Sequence, residues 1–305
     1  MSEEYLWNRS GEPDEETARL EKLLSGFRYR EKGRRVTATR LWWLAAAAVL
    51  LAGVVAVPAF RTGPVTNWQF ANGSRLRAGQ IVETGSALDT TIQSESTGEV
   101  KIDPDSRLRL VRATDREQRF DLQHGTIHAF IWAPPGRFVV DTPSAKTIDL
   151  GCRYTLHTSK NGSGLLTVEM GWVAFQFHEL ESFIPAGAAC ATRPGHGPDT
   201  PYFVDAPDAL KTALARFDVS KDPAELETVL KSARERDGLT LWHLLLRTEG
   251  SRRAEVFDRF ATLVKLPPEV SKEATLRRDS KAIDGAWNAL DLGETGWWRQ
   301  WKRTW

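Results

Sequence analysis

Cysteine is almost missing from this 305-residue chain: Cys152 and Cys190 are its only two. Two cysteines exclude a disulfide scaffold and leave room for one bridge at most. Neither charge sign is in excess. Lys and Arg number 41 against 40 Asp and Glu, so no global basic field favours direct contact with nucleic acid. No P-loop, G-x-S-x-G elbow or H-E-x-x-H pair occurs. The acidic residues form no recognisable catalytic pair, and the expectation is a non-enzyme without a metal or cofactor. His124 and His128 could share a strand face, but no third ligand accompanies them and a polar strand face explains them better. Tyrosine is scarce at four residues, whereas tryptophan reaches twelve.

Charge is wholly absent from one stretch. "LWWLAAAAVLLAGVVAVPAF", residues 41–60, has no ionisable side chain. Twenty helical residues rise about 30 Å, the thickness of a bilayer's hydrocarbon core. Trp42 and Trp43 suit a membrane–water boundary, and the run extends from Leu41 to Phe60. Arg28, Arg30, Lys32, Arg34, Arg35 and Arg40 precede it, and only Arg61 and Arg75 follow closely. That bias expects the N-terminus inside the cytoplasm and everything beyond residue 60 outside. A cleaved signal peptide is the main rival reading, but such peptides have shorter apolar runs that begin earlier; a buried helix of a soluble fold is the other alternative.

Residues 1–40 are mostly polar. "DEETARLEKLLSGF" expects a short amphipathic helix with Leu20, Leu23, Leu24 and Phe27 on one face. Trp7 lies upstream. This face reads either as a contact for a cytoplasmic partner or as part of a solvated tail.

From residue 61 to 193 a period of two dominates. Leu108 and Leu110 alternate with Arg107 and Arg109. Phe120 and Leu122 alternate, and the pattern resumes after Gly125 with Ile127, Ala129 and Ile131. Ile148, Leu150, Cys152, Tyr154 and Leu156 fall on one expected face. "RYTLHTSKNGSGLLTVEMGWVAFQF" reads as two strands joined through Lys160–Gly164. Many short antiparallel strands at this spacing expect a sandwich, jelly roll or β-roll.

The run from Val82 to Thr158 resembles the FecR domain. Leu122 to Gly125, Phe138 to Thr142 ("FVVDT") and Leu150-Gly151 stand where that family has a Leu-x-x-Gly turn, an "F-V-V-x-T-P" strand and a Leu-Gly bend. The resemblance implies a periplasmic sensor-regulator that crosses the inner membrane once and controls an extracytoplasmic-function sigma factor from its cytoplasmic arm. Two features depart from the family. Cys152 stands where threonine is usual, and the N-terminal arm is short. The His-x3-Cys-x2-Cys pattern of zinc-binding anti-sigma factors is absent.

Outside the membrane, Cys152 and Cys190 could form a bridge closing about 38 residues, worth roughly 4 kcal/mol if unstrained. The alternative is two unpaired thiols. Residues 194–204, "PGHGPDTPY" and its flank, read as a linker. Residues 205–305 then carry helical patterns: Leu210, Leu214 and Phe217; Leu226, Val229 and Leu230; a nearly all-apolar "LTLWHLLLRTE"; and Val256, Phe257, Phe260 and Val264. Trp297, Trp301 and Trp305 would form one stripe if helical. That stripe reads first as packing, and second as a partner groove or an outer membrane boundary.

Together these give a multi-domain α+β membrane protein. The expected segments are a cytoplasmic stub (1–40), a transmembrane helix (41–60), a FecR-like antiparallel β domain (61–193), a linker (194–204) and an all-α C-terminal region (205–305). The expected function is an inner-membrane signal-transducing regulator with a periplasmic sensor domain. Its partners would be a sigma factor inside and an envelope protein or ligand outside. The alternative is an envelope-anchored scaffold with no role in transcription.

Overall fold

The computed structural model describes residues 15–24 and 68–293. The chain divides into two compact units, Met1–Thr62 and Gly63–Trp305. In the first, helix α1 spans Glu15–Leu24, with Glu15 and Glu16 in its first turn and Lys22 in its last, each sign at the favourable end of the helix dipole. Leu20, Leu23 and Leu24 therefore lie on a helix, though their side chains are outside the described residues. Trp7, Phe27, Leu41, Trp42, Trp43, Phe60, Trp297, Trp301 and Trp305 also lie outside the described residues.

Among the described residues of the second unit, sixteen strands come first. The first six are β1 (Trp68–Phe70), β2 (Arg75–Leu76), β3 (Ile81–Glu83), β4 (Thr90–Ser94), β5 (Gly98–Ile102) and β6 (Arg107–Ala113). Next come β7 (Gln118–Ile131), β8 (Phe138–Asp141), β9 (Lys146–Asp149), β10 (Arg153–Thr158) and β11 (Gly164–Met170). The last are β12 (Trp172–Phe177), β13 (Leu180–Pro185), β14 (Ala188–Arg193), β15 (Gly197–Pro198) and β16 (Tyr202–Phe203). They form two layers. One runs β2-β1-β4-β5-β7-β10-β11-β14, with β15 and β16 both on β14. The other runs β3-β6-β7-β8-β9-β12-β13. Trp68 of the first layer meets Phe120 and Phe138 of the second, with ring centroids 5.1 and 6.0 Å away, in the core between them.

Strand β7 belongs to both layers. Its buried positions are Gln118, Phe120 and Leu122, then Ile127, Ala129 and Ile131, so the inward phase slips by one residue at Gly125. The alternation in the sequence on both sides of Gly125 is this slip. Gly125 has φ +101, and a Cβ there would sit 2.2 Å from Ser106 Oγ and 2.3 Å from Ser106 Cα. Gly125→Ala is therefore expected to lower stability by about 2 kcal/mol or more, because a backbone atom must move to admit the methyl group. Urea denaturation reads this as a fall in midpoint at constant slope, and an unchanged midpoint would contradict the packing described. Among the described residues all strand pairs are antiparallel except β7 with β8. A parallel neighbour normally requires a long crossover. Residues 132–137 suffice here because β7 ends in the other layer.

The segment expected as two strands holds three. Gly171, with φ +76, ends β11 and passes the chain to β12 in the second layer. The expected face through Ile148, Leu150 and Cys152 is broken in the same way. Gly151, with φ +89, carries the chain from β9 to β10, and on β9 the buried residues are Thr147 and Asp149 rather than Ile148. Residues 194–204, read from the sequence as a linker, contain β15 and β16, hydrogen-bonded to β14.

The helices follow: α2 (Asp208–Ser220), α3 (Pro223–Ser232), α4 (Gly238–Arg247), α5 (Gly250–Leu263), α6 (Lys272–Leu276) and α7 (Ser280–Asn288). Asp222 caps α3 by accepting from the Ala224 N–H at 2.9 Å, with Pro223 in the first helical position. Residues 238–245 of α4 are all buried, as its nearly all-apolar sequence expects, and they include the polar Thr240 and His243.

The expectation of a membrane protein with one transmembrane helix is corrected. The described residues form a large antiparallel β region and a C-terminal helical region, and no helix among them is long and apolar enough to cross a membrane. The longest, α5, has 14 residues and rises about 21 Å, short of the roughly 30 Å required. The segment 41–60, on which that expectation rested, lies outside the described residues.

Candidate functional site

The outward face of the first layer carries a strip of large exposed side chains. On β7, Ile127, Ala129 and Ile131 point inward, so His128, Phe130 and then Trp132 point out. Phe130 is 36% exposed, Trp132 49% and Met170 51%. Strand pairing places Phe130 beside Arg153 of β10, and Arg153 beside Met170 of β11. The Arg153 guanidinium lies over the Phe130 ring, 4.4 Å from its centroid. Trp132 meets Phe130 edge-on at 5.6 Å, and its indole N–H donates to the Glu95 carbonyl at 2.8 Å. The strip is therefore held in place before anything binds it. Stacked planar groups with fixed donors suit non-covalent recognition, because little side-chain entropy remains to be lost.

The row below is polar. His128 Nε2 lies 2.9 Å from the Asp103 carboxylate, and its Nδ1 lies 2.9 Å from Thr155 Oγ1. His157 Nδ1 meets Thr126 Oγ1 at 2.9 Å. His124 falls before the phase slip and contacts the Asp105 carbonyl instead, so it does not join His128. Among the described residues no cluster of three or more His, Cys, Asp or Glu could hold a metal ion.

The expected disulfide is absent. Cys152 and Cys190 are both free and buried. Cys190 pairs across from Leu166, whereas Cys152 adjoins the Arg153–Met170 pair, four residues further along β11. That offset is roughly 13 Å along the strand, about twice the Cα separation a bridge tolerates. Each thiol has a partner instead. Cys152 donates to the Asp149 carboxyl, and Cys190 donates to the Asp199 carbonyl at 3.1 Å. Burial pushes both thiols well above their ordinary range, which makes them poor nucleophiles.

Within the second unit the helices are keyed to the sheet by buried polar groups. His243 of α4 donates from Nδ1 to the Leu239 carbonyl at 2.9 Å and accepts the Phe183 N–H of β13 on Nε2 at 3.1 Å. Burial first, and Arg247 second, hold its imidazole down to about 3. Asp218 of α2 accepts from Thr200 N–H and Oγ1 at 2.8 and 2.9 Å, and Arg247 donates to the Pro198 carbonyl at 3.1 Å. Trp287 of α7 packs against Trp242, Trp172 and Phe183, with centroids at 4.7, 5.7 and 6.0 Å.

Sequence reasoning missed the strip, although a signal was present. Phe130 and Trp132 are large apolar residues on the polar phase of an alternating strand. The junction at His243 and Trp287 left no such signal in the sequence.

Residues 80–174 match the model of the FecR protein family, which bears out the resemblance read from the sequence. Every residue of the strip falls within that range. Two crystal structures from Parabacteroides distasonis, each described as a "putative anti-sigma factor", are similar over part of their length. The first is 14% identical with a TM-score of 0.37, covering 45% of this chain and 64% of that one. The second is 15% identical with a TM-score of 0.37, covering 49% and 74%. This chain thus spans under two thirds of the first. No curated protein matches the chain.

Proposed function

We propose that this chain, with its FecR domain over residues 80–174, is a regulator in sigma-factor signalling. It contacts an extracytoplasmic-function sigma factor through α1, and it receives its signal on the outward strip of Phe130, Trp132, Arg153 and Met170. The family match carries this reading. The strip supports it, because a sensor needs a surface whose occupant binds two states of the protein unequally. Helix α1 supports it through the Leu20, Leu23 and Leu24 spacing; Phe27, later in the sequence, and Trp7, upstream, are further contact candidates. The role is regulatory rather than catalytic.

Co-purification of the full-length chain with an extracytoplasmic-function sigma factor from the same organism tests this. Capture is expected, with a loss of tenfold or more for Leu20→Asp combined with Leu23→Asp. No capture, or equal capture by the double variant, would refute the α1 contact. The second reading is a binding scaffold with no role in transcription, and the strip is the observation in its favour. A chain that captures no sigma factor, yet loses a defined envelope partner on Trp132→Ala, would establish that reading.

A further inference from the structure

The chain passes between the two layers twice in one place. Residues 150–152 lead from β9 to β10, and Gly171 leads from β11 to β12. The two crossings touch backbone to backbone. A Cβ on Gly171 would sit 2.0 Å from the Gly151 carbonyl oxygen and 3.1 Å from Cys152 Cα. Leu150 N–H also donates to the Trp172 carbonyl at 3.1 Å.

Asp149 stands at the root of this pair and is 1% exposed. Its carboxyl accepts the Gly151 N–H at 2.7 Å and the Cys152 thiol. Both donors belong to the first crossing, so the carboxyl fastens that crossing from inside. Among the described residues, the groups that face it are uncharged. Cys152 and the Tyr154 phenol face it from the β10 side. Its strand neighbour on β12 is Val173, and β8 pairs with β9 through Val139–Ile148, Val140–Thr147 and the charged pair Asp141–Lys146, which lies at the far end of β9 from Asp149. The Tyr154 hydroxyl and Thr147 Oγ1 are buried without a hydrogen-bond partner. Among the described residues, an ionised Asp149 would therefore be a charge in a dry site with no cation to answer it.

What flanks the crossings gives this consequence. Arg153 follows the first and Met170 precedes the second, and both belong to the exposed strip. Trp172 follows the second crossing and packs on Trp287 of the helical region. We propose that Asp149 is a proton-operated latch on the paired crossings: neutral, it stays buried and the crossings stay closed; ionised, its charge gains more from water than from the Gly151 and Cys152 hydrogen bonds, although a carboxylate accepts those more strongly, so the crossings open and alter the link between the exposed strip and the Trp172–Trp287 contact. This holds whatever the chain regulates. Burial, opposed by the Cys152 and Gly151 hydrogen bonds, pushes the Asp149 carboxyl up to about 7, so the latch works near neutral pH.

Hydrogen exchange on the full chain tests it at about pH 5.5 and pH 8.5, either side of that point. Corrected for intrinsic rates, protection of the amides of residues 150–153 and 170–173 is expected to fall about tenfold at the higher pH. Asp149→Asn is expected to make protection there independent of pH. Equal protection of the wild-type chain at both values would overturn the proposal, as would a pH dependence that survives in Asp149→Asn. Should that variant not fold, infrared spectroscopy of the wild-type chain decides. A protonated-carboxyl band lost with a midpoint near 7 supports the latch, and its absence at pH 6 overturns it.

Discussion

Trp287→Ala is expected to lower the stability of the Gly63–Trp305 unit by about 3–5 kcal/mol, the range for removing a fully buried tryptophan ring. The side chain is 0% exposed, and its neighbours come from both parts of the unit: Trp172 and Phe183 from the sheet, Trp242 and His243 from α4. Its indole N–H also donates to the Gly293 carbonyl at 2.9 Å. Strands and helices share one buried cluster, running from Trp68 to Trp287. The loss should therefore appear as one cooperative transition. Far-UV circular dichroism and tryptophan fluorescence should report the same lowered urea midpoint. Trp287→Phe keeps a ring in the site and should cost less than the alanine variant. A change below about 1 kcal/mol for alanine would show that the site collapses and that the ring does not join the two parts.

The second large effect is a cancellation. Asp149 has its folded value raised to about 7 from 3.8. Its stabilising contribution is complete below the unfolded value and is lost as pH rises from about 4 to about 7, because there the folded state holds a proton that the unfolded state has released. His243 behaves oppositely, with its folded value depressed to about 3 from 6.5. Its contribution is complete above 6.5 and is lost as pH falls towards 3, because the unfolded state takes up a proton that the folded state refuses. Between about 4 and 6.5 the two slopes are equal and opposite. Asp149→Asn removes one of them. The variant should lose roughly 3–4 kcal/mol more than the wild type over that interval on acidification. Urea denaturation at several pH values measures the difference, and parallel curves for the two proteins would show that Asp149 is ionised in the fold throughout.

Several elements were legible without coordinates because they depend on local chemistry. The alternation around Gly125 gave both buried faces of β7, since a strand shows opposite sides at successive residues. The Lys160–Gly164 stretch marked the β10–β11 turn, because its residues favour that backbone conformation by themselves. The FecR resemblance was legible for the same reason, as a sequence of turns and faces in a fixed order.

The reading failed where the chain leaves one layer for the other. Ile148 and Leu150 continue an apolar phase into Cys152 and Tyr154, so periodicity joins β9 to β10. Gly151 breaks the run, and the buried residue on β9 becomes Asp149. The bridge between Cys152 and Cys190 failed similarly. Spacing along the chain allowed it, but β11 holds the two thiols at different levels. Local order follows from each residue's own preferences, and those are written in the sequence. Which carboxyl is deprived of water, which thiol meets which partner, and which tryptophan joins sheet to helix depend on segments far apart in the chain arriving together, and only the tertiary structure decides that.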